Sequence, residues 1–232
     1  MHIIIMKHPF SNSFRRRMII ALFLMLVIMQ LKAQVDSISN LPQYLFPNFD
    51  TSSVRLKTGE FFKAVMNYNT LTEKMAFYQK GTLLDLIKPG TVDTICIQDR
   101  LFVPIEESFY EVILNAPIAF FIQHKSDLVS TGRPAALGTT SQTNGITSVS
   151  KLVGNENSYN LKLPENFKIK PYEVYWVRMN KGIHKFLNER QLMKIFPAKE
   201  DEIKDFIDQS HLKISKADDL LKLAKFCNEM NQ

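Results

Sequence analysis

The chain lacks most of the features that reveal a function. It contains only two cysteines, Cys96 and Cys227, and a single tryptophan. None of His124, His184 and His211 has a His or Cys partner at metal-ligand spacing, and no His-Glu-x-x-His is present. No nucleotide-binding or catalytic motif stands above chance. The sequence therefore predicts no metal, no cofactor and no identifiable reaction.

Two short patterns come nearest to a catalytic motif, a Ser-x-x-Lys at Ser148 and Lys151 and a Lys-Thr-Gly at 57–59. In the penicillin-recognising enzymes the Lys-Thr-Gly follows the nucleophile, whereas here it precedes it. Ser210 and Lys213 repeat the first pattern, as expected of a common residue combination. Neither pattern supports a prediction of catalysis.

No apolar run is long enough to span a bilayer. The run Met18–Met29 has 12 residues, whereas a spanning helix needs about 20 and a signal-peptide core needs about 7–15. It follows the basic residues Arg15–Arg17 and precedes Ala33, a small residue suited to cleavage. Residues 1–33 are therefore predicted to be a cleaved signal peptide. The alternative is an uncleaved anchor, which Lys32 disfavours by interrupting the apolar helix.

An excess of positive charge is also missing once residues 1–33 are set aside. The whole chain has 29 Lys and Arg against 23 Asp and Glu, but this segment holds five of the bases and none of the acids. The remaining 199 residues therefore carry 24 bases and 23 acids. A near-neutral chain has no electrostatic footprint for nucleic acid. We predict an exported protein with no nucleic-acid partner and no integral membrane span after cleavage.

The chain after residue 33 falls into segments with different periodicities. Short runs of alternating apolar residues indicate antiparallel strands, and a later switch to a period of 3.6 indicates helices. Together they predict a single α+β domain over residues 54–232, with a mostly antiparallel sheet and short C-terminal helices packed on it. The predicted segments are an extended lead-in at 34–53, a β meander at 54–124, a long polar loop at 125–157, a β hairpin at 158–187 and helices at 188–231.

Two helix starts carry capping signals. Asn188 is placed to cap the first helix, and Ser215 with Asp218 resembles a capping box for the last one. Leu220, Leu223 and Cys227 then lie on one apolar stripe of that last helix. Export would permit one disulfide between Cys96 and Cys227. Two separate thiols are the favoured alternative, because small apolar burial is the usual fate of a free cysteine.

The predicted loop at 125–157 is rich in Ser, Thr, Gly, Asn and Gln. Structureless segments longer than about 12–15 residues are usually either functional or disordered, and both readings stay open. His124 lies just before the loop and is the best single candidate for a polar binding site, although a hydrogen-bonded structural role is the commoner one. Arg133 lies within the loop and is the candidate contact for a protein partner.

Three aromatic residues, Tyr172, Tyr175 and Trp176, lie close together on a predicted strand. Alternation places Tyr172 and Trp176 on one face and Tyr175 on the other. They could include a stacking platform for a sugar or a peptide, and the alternative is that they pack in the core.

Several short segments of the chain carry a resemblance to a group of known sequences. They are Lys32-Ala33-Gln34, Asn67-Tyr68-Asn69, Glu73–Phe77, Gln191, Ile195-Phe196-Pro197, Ile203, Phe206-Ile207, Asp219-Leu220 and Leu223. Through them the chain resembles uncharacterised exported proteins of the Bacteroidota. The resemblance covers most of the chain after the signal and rests on structural positions rather than on chemistry. It implies a periplasmic, outer-membrane-associated or secreted location, and it assigns no activity.

These observations predict an exported, non-catalytic binding protein or cell-envelope component, with a protein or glycan partner. The alternative is a secreted or periplasmic hydrolase with its site near the 125–157 loop. A concave pocket that joins His124 to a second titratable group would favour the hydrolase, whereas a flat sheet face with exposed Tyr or Trp would favour binding.

Overall fold

Antiparallel strands make up most of the computed structural model, which describes residues 41–79, 82–130, 133–134, 140–141, 167–179 and 182–231. All of these residues belong to the unit Leu41–Gln232. The predicted signal peptide and the first part of the lead-in lie outside the described residues. The strands are β1 Asp50–Leu56, β2 Phe61–Asn69, β3 Lys74–Gln79, β4 Thr82–Asp85, β5 Val92–Ile97, β6 Arg100–Ile105, β7 Ser108–Leu114, β8 Ala119–Ser130, β9 Arg133–Pro134, β10 Thr140–Ser141, β11 Phe167–Met179 and β12 Gly182–Phe186.

Ten of these strands form one antiparallel sheet, in the order β12-β11-β8-β7-β6-β5-β1-β2-β3-β4. Tight turns join β1 to β2, β5 to β6 and β6 to β7. Gln98 and Glu106 take positive φ angles of 53° and 56° in the two turns that flank β6, and Gly59 takes 93° between β1 and β2. These left-handed positions let the chain reverse within two to four residues.

The sheet curls so that the turn after β2 reaches strands β7 and β8. The Ser126 amide donates to the Thr70 carbonyl at 2.9 Å, and the Phe109 amide donates to the Glu73 carbonyl at 3.3 Å. The Tyr68 hydroxyl donates to the His124 carbonyl at 3.0 Å. Since β2 and β8 are five positions apart in the sheet order, these bonds close the curl around an apolar core. That core is formed by Phe46, Val54, Met66, Tyr68, Met75, Val92, Ile95, Ile97, Phe102 and Phe109.

The helices follow β12 and cover one face of the other end of the sheet. They are α1 Glu189–Met193, α2 Glu200–Ser210 and α3 Ala217–Glu229, with a 3-10 turn at Pro197–Lys199 before α2. Phe120, Ile122, Tyr175 and Val177 of the sheet are buried with residues of α1, α2 and α3 in a second core. The α+β arrangement, a mostly antiparallel sheet with short C-terminal helices, is therefore confirmed. None of the described helices is long and apolar enough to cross a membrane.

Several predicted boundaries differ from the structure. The lead-in at 34–53 already contains the start of β1 at Asp50, and Tyr44 pairs with Asn69 before it. The loop predicted at 125–157 begins too early, because β8 runs on to Ser130 and β9 and β10 pair with each other beyond it. Residues 142–157 of that loop and the start of the predicted hairpin, 158–166, lie outside the described residues.

The continuation of β8 has a physical cause. His124, Ser126 and Leu128 are buried while Asp127 and Val129 are exposed, which is the alternation of a strand with one covered face. Ser126 can be buried because its hydroxyl lies 2.8 Å from that of Thr70. Because Ser126 is a polar residue on the covered face, the sequence of this segment predicted a loop instead of a strand.

Candidate functional site

His124 lies within β8 rather than at the end of a strand, and it is only 5% exposed. Its Nε2 atom lies 2.6 Å from Glu111 Oε2, and its Nδ1 atom lies 3.5 Å from Glu173 Oε1. Sheet register explains both contacts. Glu173 of β11 is the direct partner of His124 in the sheet. Glu111 of β7 pairs with Ile122, which lies two residues before His124 on the same face of β8. The ring is therefore held between two carboxylates.

Arg100 of β6 completes this buried cluster. Its guanidinium donates from Nε to Glu111 Oε1 at 2.6 Å and from Nη2 to Glu111 Oε2, and Nη2 also lies 2.7 Å from His124 Nε2. The guanidinium carbon lies 5.2 Å above the ring of Phe46 and 5.8 Å above that of Phe102. Arg100 thus links the charged cluster to the apolar core inside the curled sheet.

The ionisation of Glu111 follows from these contacts. Burial acts to raise its pKa, but hydrogen bonds from Arg100 and His124, together with their charges, outweigh burial and lower the pKa of this carboxyl. Glu111 is therefore a carboxylate at neutral pH. Since a guanidinium only donates and a carboxylate only accepts, His124 Nε2 can serve only one of these neighbours at a time.

Tyr175 joins the same cluster from the other side of His124. Its hydroxyl donates to Glu173 Oε2 at 2.8 Å, and its ring lies 5.5 Å from that of Phe186 in the helix-covered core. Burial and this bond to Glu173 raise the pKa of the Tyr175 hydroxyl. The structure thus brings two predicted site residues, His124 and Tyr175, to one carboxylate. Both are buried, so for Tyr175 the structure agrees with the alternative of packing in the core.

The opposite face of the sheet holds Trp176. Its ring lies 5.5 Å from that of Tyr110, and its Nε1 donates to Gln123 Oε1 at 2.9 Å. The predicted alternation of Tyr175 and Trp176 on opposite faces is confirmed. Among the described residues, the cluster on this side contains only strand residues, whereas the helices pack on the other side. Its members are Tyr110, Ala119 and Phe121 with the half-buried Val103, Ile105, Val112, Trp176 and Ile183.

Glu73 anchors a polar group at one end of this face. Lys125 Nζ and Gln123 Nε2 both donate to its carboxylate, and Ser108 Oγ donates to it at 3.2 Å. Gln123 also accepts from the indole of Trp176. One continuous chain of hydrogen bonds therefore fixes the orientation of the Trp176 ring. Burial and the nearby charges of Glu73 and Glu106 raise the pKa of Tyr110 to about 12.

Two exposed side chains of β11, Tyr172 and Arg178, lie on the same face of the strand as Trp176, because all three are separated by even numbers of residues. Tyr172 is the direct partner of Lys125 and is 37% exposed. At the other end, exposed Arg178 places its guanidinium carbon 5.0 Å above the ring of Phe121. Tyr110 and Phe121, whose rings contact Trp176 and Arg178, are buried. We call the surface formed by Tyr172, Trp176 and Arg178 the open face.

The remaining predicted residues are Arg133, Cys96 and Cys227. Arg133 is in β9, where its backbone is paired with Ser141. Cys96 and Cys227 are free thiols, so the disulfide between them is not formed. Cys227 is buried with Leu220 and Leu223, as the alternative of separate thiols expects. No group of three or more His, Cys, Asp or Glu placed to hold a metal ion occurs among the described residues.

A cavity of about 460 Å³ lies beside the helices, far from His124. It is bounded by Ile118 just before β8, by Met179 at the end of β11, by the segment 195–199 and by the end of α3. Ile118 and His124 are six residues apart on one strand, which separates them by roughly 20 Å. The cavity therefore does not open onto the charged cluster.

Sequence reasoning missed the two carboxylates beside His124. Both occur in the same tripeptide, Tyr110-Glu111-Val112 and Tyr172-Glu173-Val174. An isolated acid between an aromatic and a β-branched residue in a strand must either face water or find a buried partner. That repeated pattern is the signal that could have predicted a paired charge.

Comparison with known proteins gives no relative: no family model, no curated protein and no solved structure matches this chain.

Proposed function

We propose that the protein is an exported, non-catalytic component of the cell envelope that binds a protein partner through the open face. The observation that supports this most strongly is the placement of Trp176. Its ring is held by the hydrogen bond to Gln123 on a sheet face that none of the described helices covers. A large aromatic side chain fixed in this way binds at low cost in conformational entropy.

The chemistry of the open face favours a protein over a glycan. Trp, Tyr and Arg are the residue types that contribute most to protein interfaces, and Tyr172, Trp176 and Arg178 lie on one strand within this face. The aliphatic side chains of Val112 and Ile183 belong to the same cluster as Trp176. Such aliphatic groups pack well against a protein surface but offer no hydrogen bonds to sugar hydroxyls.

The hydrolase alternative has less support. It needs a titratable group open to substrate near the polar segment, and His124 is 5% exposed with both ring nitrogens beside carboxylates. The cavity lies at the other end of β8. The binding role therefore agrees better with the described residues.

The open face can be tested with the intrinsic fluorescence of the protein. Trp176 is the only tryptophan, so its emission reports on this face alone. The immobilised chain is used to retain an envelope protein, which is then purified. When this protein is added to the free chain, it should shift the Trp176 emission in a saturable way. Tyr172→Glu and Arg178→Glu should each weaken its binding about tenfold or more, because hot-spot residues contribute about 1.4 kcal/mol or more.

Leu187→Glu is the matched control, because Leu187 is an exposed apolar residue that follows β12 and lies outside the open-face cluster. It should bind like the unmodified chain. Equal affinity of the partner for all three variants would overturn the proposal. Export is tested separately by the mass of the protein recovered from the producing cells, and an unprocessed N-terminus would contradict the cleaved signal.

A further inference from the structure

The cavity beside the helices has the composition of a small-molecule site. Seven of its ten lining residues are apolar, and they include Ile118, Met179 and Phe196. Its volume of about 460 Å³ lies within the range of roughly 300–1,000 Å³ that ligand pockets occupy. Apolar walls with a few polar groups are the usual arrangement of such sites.

The wall next to α3 is fixed by hydrogen bonds. Asn228 Oδ1 accepts from the Ile118 amide at 3.0 Å, and Asn228 Nδ2 donates to the Ile118 carbonyl at 2.8 Å and to the Ala224 carbonyl at 2.9 Å. Asn231 Nδ2 donates to the Cys227 carbonyl at 2.7 Å. These bonds hold the end of α3 against the start of β8. The cavity is therefore formed before a ligand enters, which lowers the entropic cost of binding.

Among the described residues that line the cavity, Lys199 is the only charged one. Its Nζ lies 3.0 Å from Glu202 Oε1, in an ion pair in which Lys199 is 36% and Glu202 is 54% exposed. An exposed pair of this kind contributes about 0.2–1 kcal/mol. An incoming carboxylate can therefore replace Glu202 at small cost. Glu200 and Asp201 are exposed and do not line the cavity, so solvent and salt screen their charges.

We propose that this cavity binds a small amphipathic carboxylate. Its apolar chain lies against Ile118, Met179 and Phe196, and its head group pairs with Lys199 at the mouth. This site is separate from the open face and does not depend on the proposed function.

Three amphiphiles with the same chain and different head groups test the proposal: dodecanoate, dodecanol and dodecyltrimethylammonium. Each is titrated into the purified protein by calorimetry, below the concentration at which it forms micelles. Dodecanoate should bind most tightly and saturably. Lys199→Gln should weaken dodecanoate about threefold to fivefold and leave dodecanol unchanged, whereas Glu202→Gln should strengthen dodecanoate, because it frees Lys199.

Two further variants locate the site. Ala198→Trp adds bulk to a lining residue at the mouth and should weaken both dodecanoate and dodecanol. Lys194→Gln is the matched control, because Lys194 is an exposed lysine on the same segment that does not line the cavity. It should bind like the unmodified protein.

Several results would overturn the proposal. Absence of saturable dodecanoate binding would remove the site. Equal affinity for all three head groups, or no effect of Lys199→Gln, would remove the carboxylate preference. Loss of dodecanoate binding in the open-face variant Tyr172→Glu would show that the ligand binds at the open face instead.

Discussion

Glu111 and His124 form a buried pair in which the carboxylate Oε2 lies 2.6 Å from the ring Nε2, and each side chain is less than a tenth exposed. The pair joins β7 to β8 at the point where the helix-covered core meets the core inside the curled sheet. Arg100 of β6 and Glu173 of β11 extend the cluster to the neighbouring strand on each side. Four adjacent strands, β11, β8, β7 and β6, therefore contribute to one charged cluster. The buried Glu111 carboxylate must remain paired, because an unpaired buried charge costs several kcal/mol.

Glu111→Gln tests the contribution of this pair to stability. The substitution keeps the shape of the side chain and removes the charge that faces Arg100 and His124. Removing one partner of a fully buried pair costs about 3–5 kcal/mol, and since Arg100 is a third exposed we expect about 2–3 kcal/mol. Urea unfolding followed by circular dichroism measures the change.

Asp93→Asn is the control for this measurement. Asp93 pairs with Arg55 on the surface, with side chains 35% and 58% exposed. Its replacement should cost less than about 1 kcal/mol. Equal losses of stability in the two variants would contradict a special role for the buried cluster.

Stability should also depend on pH through Glu111. The folded state lowers the pKa of this carboxyl from its ordinary value of 4.5. A group with a lowered pKa contributes stability that is present above its unfolded pKa and is lost as the pH falls through its folded pKa. The free energy of unfolding should therefore fall as the pH is lowered from neutrality through 4.5 and below, and Glu111→Gln should show a smaller fall over the same interval. Parallel curves for the two proteins would argue against this assignment.

The local parts of the fold could be predicted from the sequence. Alternation identified the strands between residues 54 and 124, and the opposite placement of Tyr175 and Trp176 follows from the same rule. Asn188 caps α1 as predicted, since its side chain accepts from the Gln191 amide at 2.9 Å. Each of these features depends on residues close together in the chain.

The long-range parts could not be predicted. The curl of the sheet depends on contacts such as Tyr68 with His124, which are 56 residues apart. The predicted capping box at Ser215 and Asp218 was wrong, because α3 begins after Lys216 without a side-chain cap. Asp219 accepts from the Lys213 amide at 3.2 Å instead. The curl thus depends on a tertiary contact, whereas the start of α3 depends on a local hydrogen bond that the capping-box pattern does not include.

Tyr68→Phe tests the contact that closes the curl. Tyr68 is fully buried, and burial, as the largest cause, raises the pKa of its hydroxyl, which therefore stays protonated and donates to the His124 carbonyl. Loss of one such bond should lower the free energy of unfolding by about 0.5–1.5 kcal/mol. Tyr172→Phe, on an exposed ring, should change it by less than about 0.5 kcal/mol. A neutral Tyr68→Phe would mean that the curl does not depend on this bond.

The two thiols should react at very different rates. Burial raises the pKa of Cys227 to about 12, so almost none of it is thiolate at neutral pH, whereas Cys96 is partly exposed. Iodoacetamide should therefore label Cys96 first in the folded protein, and it should label both thiols in denaturant without any reductant. Mass spectrometry of the two cysteine-containing peptides measures each rate. If neither thiol were labelled in denaturant until a reductant was added, the two cysteines would be joined in a disulfide, and the packing of Cys227 against Leu220 and Leu223 would have to differ from that described.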